Sequence, residues 1–536
     1  MTSKPKVQLA PLPWPELLLY WLLSFGSHLY SFYELHRFSK EHEAGLDREF
    51  QLDSGLIQGF KRDAADFEWT LWTKWAKKSL LWTLIGHGVI SRFCSIFYPR
   101  FRAAVLTVYG FLAASSLLGI KGVTVLLLHL VLSFSVAQLK RPALSWTCNL
   151  LLLCTLHIRP LQEIQPNPLT ARERLCHSRV SVVARQEPIT SLSTHWTLQE
   201  RGWYDSEEEY YLLLFSVAVG SLRLISFSLE HCWGPSVRNG TLQLCWLFSY
   251  AFYHPFFYNG PIVTYKDYVE QMQRPAEESD RHKFGFRYLL LRSGRILMWW
   301  CIAEYMIHVM YMHSIQSNET YLEILPPWAL GGLALALVQF FFVKYLVLFG
   351  VPSMLATLDQ LVPPHLPLCV SIMYSFTGMW RHFDKGLYRW LLRYIYVPLG
   401  GSHHGVRYKM LSTALAFGFV CLWHGGHDYL QYWALMNWLG VLVETGLKAL
   451  FGSALVYSFF ERHFSAATRR RCAAFLSAFS TAMLILSNLV FLGGIHVGRI
   501  FWKRVFLQGW STVAPPMLAF LYCFAQVGLE WTSHPS

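Results

Sequence analysis

The chain has 536 residues, of which 53% are hydrophobic and 16% aromatic, while only 15% are charged. Charged residues make up about a quarter of an ordinary soluble domain, so a large water-soluble enzyme is excluded and a polytopic helical membrane protein is expected. The net charge of +13 is dispersed in short runs beside apolar segments, among them Lys61-Arg62, Lys140-Arg141 and Arg469-Arg470-Arg471. Basic residues placed this way serve cytoplasmic loops and anionic headgroups, so the lipid bilayer is an expected partner and nucleic acid is not.

In chain order, apolar runs at residues 14–33, 80–98, 102–120, 123–139 and 144–158 predict the first helices. Several reach the roughly 20 residues that span a hydrocarbon core. The first run has no short apolar region followed by a small-residue cleavage site, so no cleavable signal peptide is expected. A polar stretch, 39–78, separates the first two runs. A second, 159–209, carries Pro160, Pro166, Pro168 and the acidic run Asp205–Glu209 without sustained periodicity; it predicts a surface loop. Further runs at 211–229, 242–263, 288–312, 328–350, 411–423, 429–450, 473–492 and 513–530 complete an all-α transmembrane bundle. About ten to twelve true spans plus re-entrant segments are expected, since backbone broken inside a membrane survives only where protein or a watery cavity covers it.

From residue 242 the texture changes. Pro and Gly enter aromatic-rich apolar sequence at Tyr253-His254-Pro255, at Tyr258-Asn259-Gly260-Pro261, in the three prolines of 361–368 and at Val397-Pro398-Leu399-Gly400-Gly401-Ser402. Interrupted segments of this kind commonly line substrate pathways, so residues 242–510 are expected to be the working half of one integral-membrane domain, 1–536. The eleven cysteines form no CxxC pair and are expected as small buried hydrophobes rather than disulfides. The sequons Asn239-Gly240-Thr241 and Asn318-Glu319-Thr320 would matter only on a lumenal face.

His424 ends a long apolar stretch in the run Cys421-Leu422-Trp423-His424-Gly425-Gly426, and Asp384 closes the run Ser375–Asp384 upstream of it. An ionisable side chain taken from water beside an apolar segment is a functional-site hypothesis. A histidine can accept a nucleophile's proton as a bond forms, and a carboxylate can orient the imidazole, receive a proton or hold a cationic nucleophile. Together they suit acyl transfer. The same residue types also serve as a helix-terminal hydrogen-bonder and an interface anion paired with Arg381 or Lys385, and both readings stand on residue types alone. His254, His308 and His313 are expected to be structural.

The ordered set Tyr258–Pro261, Val343–Gly350, Ser375–Asp384, Tyr396–Ser402, Trp423-His424-Gly425-Gly426 and Leu484–Gly494 resembles the membrane-bound O-acyltransferases. With Phe32-Tyr33-Glu34 and Asp66-Phe67-Glu68-Trp69 the resemblance covers nearly the whole chain, and it is to the branch that modifies secreted Hedgehog proteins. The resemblance implies transfer of palmitate from palmitoyl-CoA to the amino-terminal cysteine of a Hedgehog protein, forming an amide, in the endoplasmic reticulum membrane or the Golgi. It makes His424 the acid/base residue and Asp384 the group that positions or deprotonates the amine. Members that modify hydroxyls generally carry Asn there; a carboxylate attracts an ammonium, whereas an amide only hydrogen-bonds. The resemblance also implies that Trp380 gates the acyl and peptide chambers, that Arg381 and the 397–402 loop hold the CoA end, that Asn488 is a polar pocket residue and that the Cys369 thiolate is the axial ligand of a heme b. Residues 163–202 are longer and more polar than the family pattern and are expected to be an insertion dispensable for chemistry. The alternatives are an acyltransferase for a lipid or protein hydroxyl, and a non-catalytic transporter or scaffold, against which His424 argues.

Overall fold

The computed structural model describes residues 10–50, 52–154, 207–235, 240–274 and 286–533. The expected insertion at 163–202 and the sequon at Asn239 lie outside the described residues, as does the 159–209 loop until a helix begins at Glu207. The principal elements are α1 (Trp14–Glu41), β1 (Asp53–Ser54), β2 (Lys61–Arg62), α2 (Phe67–Trp75), α3 (Leu81–Phe97), α4 (Arg102–Ala137), α5 (Pro142–Cys154), α6 (Glu207–Trp233), α7 (Gly240–Ala251), α8 (Tyr265–Met272), α9 (Phe286–Val309) and α10 (Pro327–Leu358). They continue with α11 (Phe376–His382), α12 (Lys385–Leu391), α13 (Val406–Trp423), α14 (Asp428–Phe451), α15 (Ala466–Trp502) and α16 (Ala514–Ser533). The two short strands pair antiparallel with Asp53 opposite Arg62, so the all-α expectation holds.

Among the described residues, six helical segments are long and apolar enough to cross a membrane: Phe67–Phe97, Pro99–Ala137, Glu209–Trp233, Pro327–Leu358, Asp428–Phe451 and Ala466–Leu507. The expected runs 102–120 and 123–139 are one helix, α4, kinked where Gly119 adopts φ 65° and ψ 177°. The run 242–263 is helical only to Ala251, because Pro255 lacks the N–H that a continuing helix needs and a 3₁₀ turn, His254–Phe256, follows. On α3 the large side chains Trp82, Ile85, Val89 and Phe93 are exposed, whereas His87, Ser91 and Cys94 are buried. Apolar outside and polar inside is the arrangement a lipid solvent selects.

The described residues divide into two compact units, one of residues 1–70, 290–350 and 364–536 and one of 71–289 and 351–363. Within the second, Leu106, Tyr250, Tyr253, Phe256 and Tyr268 form an aromatic core. The fully buried Asp359 accepts hydrogen bonds from Tyr253 and Ser91 and lies 2.8 Å from His87 Nε2. Arg223, buried on α6, donates to the carbonyls of Tyr250 (3.1 Å), Ala251 (2.9 Å) and Phe256, so its guanidinium satisfies the end of α7. Within the first unit, Leu35, Tyr311, Leu330, Leu333, Leu337 and Phe340 belong to the main apolar core. There α15 breaks at Gly494 (φ 83°, ψ 176°), and the Gln316 side chain donates to the carbonyl of Leu492 at 2.9 Å. Non-helical backbone in hydrocarbon requires such a partner.

The structure refines two smaller expectations. Every cysteine among the described residues is unpaired. Asn318 caps the helix Glu319–Ile324, its side-chain oxygen accepting from Tyr321 N at 3.2 Å while its amide donates to Glu49, so this sequon's acceptor nitrogen is already engaged.

Candidate active site

His424 is placed by backbone geometry. It follows the last residue of α13, and the chain then passes through Gly425 (φ 116°) and Gly426 (φ 67°). Gly426 N donates to Cys421 O at 2.9 Å and Gly425 N to Leu422 O at 3.0 Å. This is a Schellman closure, whose left-handed positions suit glycine because no Cβ meets the carbonyl. The Trp-His-Gly-Gly run thus stops the helix with the imidazole at its end.

Three aromatic rings surround that imidazole: Trp423 (centroids 4.7 Å apart), Phe491 (5.4 Å) and Trp433 (6.3 Å). By surface area the residue is exposed, whereas Trp433 beside it is buried. The protein packed around the ring nonetheless desolvates it and holds its pKa down, to about 4. At neutral pH the imidazole is uncharged and able to take a proton.

Asp384 is reached along an aromatic wall. Phe491 lies 5.9 Å from Phe341, which stacks on Phe383 at 5.3 Å and 11°. Asp384 follows Phe383 and caps α12, accepting from Leu387 N at 2.9 Å. Burial pushes its carboxyl up to about 6, against the hydrogen bonds of Leu387 and Gly386 N–H. No hydrogen bond joins Asp384 to His424, and neither Arg381 nor Lys385 forms an ion pair with it. The pairing that would make Asp384 a mere interface anion is therefore absent.

The other expected residues divide. Trp380 belongs to the cluster: its indole is 4.8 Å from Phe417 and 5.7 Å from Trp433, and its Nε1 donates to Asn437 Oδ1 at 2.8 Å. Asn488 is half-buried one turn before Phe491 on α15. Arg381 is exposed at the end of α11. Cys369 lies on the irregular segment before α11, unpaired and half-buried, with Leu368 exposed beside it. Its sulfur has no hydrogen-bond partner, and the side chain packs against the main apolar core; a thiolate there is of a type that could hold a heme iron, while no cluster of three or more His, Cys, Asp or Glu side chains suited to a metal occurs among the described residues.

Residue-by-residue reading missed one charged cluster. Lys344, almost fully buried on α10, lies 3.0 Å from Asp66 and 2.9 Å from Glu68. Tyr345 donates to Glu68 at 3.2 Å and sets its ring against Phe383, centroids 6.2 Å apart. Removing one partner of a buried ion pair costs about 3–5 kcal/mol. Lys344→Met is expected to lower the thermal unfolding midpoint of the purified protein sharply, since two carboxylates lose their counter-ion; an unchanged midpoint would show the cluster to be solvated and dispensable.

Membrane-crossing helices, a histidine uncharged at neutral pH and a half-buried carboxylate along the same aromatic wall suit a membrane enzyme of the acyl-transfer class. The chain belongs to the MBOAT, or membrane-bound O-acyltransferase, family, whose model matches residues 174–487. It is 44% identical to the protein-cysteine N-palmitoyltransferase HHAT of Mus musculus, over 97% of this chain and 98% of that protein. Similarity to the HHAT-like protein of Mus musculus is 28% over 97% and 95% of the two chains, and to the protein-cysteine N-palmitoyltransferase Rasp of Drosophila melanogaster 27% over 65% and 70%.

Proposed function

We propose that this chain is a protein-cysteine N-palmitoyltransferase of the endoplasmic reticulum membrane, which moves palmitate from palmitoyl-CoA to the amino-terminal cysteine amine of a secreted Hedgehog protein. The observation that carries this reading is the placement of an uncharged His424 and an ionisable Asp384, rather than a neutral amide, along one aromatic wall. The similarity to HHAT over nearly the full length supports it.

In this mechanism Asp384 draws in the terminal ammonium and assists loss of its first proton. The amine nitrogen attacks the thioester carbonyl, His424 accepts the second proton, and collapse breaks the C–S bond. The proton on His424 then leaves with the CoA sulfur, giving an amide and free thiol. Residues 242–510 hold this machinery, and the apolar wall is suited to a fatty chain, each of whose buried methylenes contributes about 0.8 kcal/mol. The donor's phosphates suit the exposed Arg381, Arg389 and Arg407 with the 397–402 loop: no acidic residue occurs between Asp384 and Asp428. Trp380 partitions the acyl and acceptor chambers, and Asn488 is a polar contact in the pocket.

The test is purified protein with palmitoyl-CoA and three peptides, carrying an amino-terminal Cys, an amino-terminal Ser or an acetylated terminus. Amide formation on the free amino-terminal Cys is expected. Ester formation on a hydroxyl would make the chain a hydroxyl acyltransferase, and no turnover on any peptide would make it a non-catalytic relative.

On the same reading Cys369 would hold a heme through its thiolate, which would brace the irregular segment before α11. Purified wild type is expected to show a heme absorption band that Cys369→Ala loses. The same band in both proteins, or in neither, would remove the assignment.

A further inference from the structure

We propose that one stripe on α14, Asn437, Gly440 and Glu444, is the template that sets the attitude of Trp380, with Asn437 and Glu444 as positioning residues for acyl transfer. The proposal rests on the reading of Trp380 as the partition between chambers.

Residues three and four apart share one face of a helix, so these three side-chain positions meet the short helix α11 together. Each holds it differently. Asn437 is buried and fully engaged: its oxygen accepts from Trp380 Nε1 at 2.8 Å, and its amide donates to Trp433 O at 2.8 Å and Ser487 Oγ at 2.7 Å. Gly440 gives the space, since a Cβ there would come within 2.5 Å of the buried Phe376 ring. Glu444 is also buried, and its two oxygens accept from Phe376 N (2.7 Å), Thr377 N (3.0 Å), Thr377 Oγ1 (2.7 Å) and Ser480 Oγ (2.7 Å). It closes the first turn of α11 beside Ser375, the cap of that helix.

Both polar partners on α15, Ser480 and Ser487, are themselves one heptad apart, so the α14 and α15 faces are locked in register by the same two residues that hold α11. A carboxylate and an amide buried in a membrane-crossing helix are costly unless fully satisfied. Here all their hydrogen bonds but the one from Asn437 to Trp433 O, in α14 itself, are made to α11, its indole or the helix behind. A short helix such as α11 has little stability of its own, so the direction of Trp380 is inherited from α14.

A merely structural role would lower the amount of folded protein; a positioning role must act through the indole. The experiment is therefore a double-mutant cycle on full-length protein in detergent, with wild type, Asn437→Leu, Trp380→Phe and the double variant. Two quantities are read in each: the ratio of acceptor acylation to palmitoyl-CoA hydrolysis, and the binding preference for a palmitoyl over a lauroyl thioether analogue of CoA. The second needs no turnover and no particular acceptor, so a failure of the proposed reaction is distinguished from a failure of this template.

Asn437→Leu is expected to lower the acylation-to-hydrolysis ratio by about fivefold to tenfold, the effect of leaving a buried hydrogen-bonding group unpaired, and to flatten the chain-length preference. In the Trp380→Phe background, which has no indole N–H, the further change should be under about twofold. Asn437→Asp, which keeps the shape and an oxygen for the indole, should restore most of the loss. Should Asn437→Leu not fold, Gly440→Ala and Glu444→Gln serve in the same cycle, because they displace or loosen α11 without touching the indole bond. Equal losses in both backgrounds, or an unchanged ratio and preference in folded variants, would overturn the proposal.

Discussion

Replacing His424 by alanine is expected to lower turnover by roughly 10²–10⁴-fold, the usual contribution of a general acid/base group, while donor binding persists. The residue follows α13 at a helix end closed by backbone hydrogen bonds, so loss of its ring leaves the Schellman turn intact. Desolvation keeps the imidazole uncharged above about pH 4, so across the physiological range its nitrogen is free to take a proton. The measurement pairs single-turnover acylation with binding of a non-hydrolysable palmitoyl-CoA analogue. Near-normal turnover would remove the central claim, and loss of analogue binding in step with turnover would make His424 a binding residue instead.

Asp384→Asn is the more discriminating change. Asn is as good a helix cap as Asp, so the bond to Leu387 N is expected to persist, and only the charge that recruits an ammonium is lost. Acylation of an amine should fall by at least tenfold, a loss of about 1.4 kcal/mol in the transition state. Stability should not fall with it. A carboxyl raised from 3.8 to about 6 by burial binds its proton more tightly folded than unfolded. Its contribution to folding is present below pH 3.8 and is lost as pH rises through about 6. The Asn variant is therefore expected to unfold no earlier than wild type at neutral pH. In wild type, kcat/KM should climb as pH rises through about 6, where Asp384 ionises, and this limb should vanish in the variant. A well-folded variant with normal turnover, or with the limb intact, would rule out the anionic role.

Much of the class was legible in the chain because lipid imposes a composition: the predominantly apolar runs at 211–229, 328–350, 429–450 and 473–492 lie within α6, α10, α14 and α15. The kink in α4 was not, since Gly110, Gly119 and Gly122 all lie in α4 and only Gly119 leaves the helical region. His424 stood out because two glycines stop an apolar run directly after it. Asn437 and Glu444 did not, although a buried carboxylate within a membrane helix is itself a signal and their spacing around Gly440 marks one face. The Lys344 cluster lay hidden for a different reason. Lys344 and Asp66 are 278 residues apart, and charge pairing over such a distance is set by tertiary packing, which local periodicity does not encode.

Arg223 bears on how the chain enters a bilayer. A lone guanidinium at the centre of a membrane helix opposes insertion by about 2.5–3.5 kcal/mol on the translocon scale. The carbonyls that satisfy this one belong to residues made later, the last of them Phe256, 33 positions on. For a protein threaded into lipid in the order of its synthesis, α6 on its own is an incomplete passenger. The hydrogen bonds from Arg223 to the end of α7 are therefore expected to couple the integration of α6 to the synthesis of the segment after it.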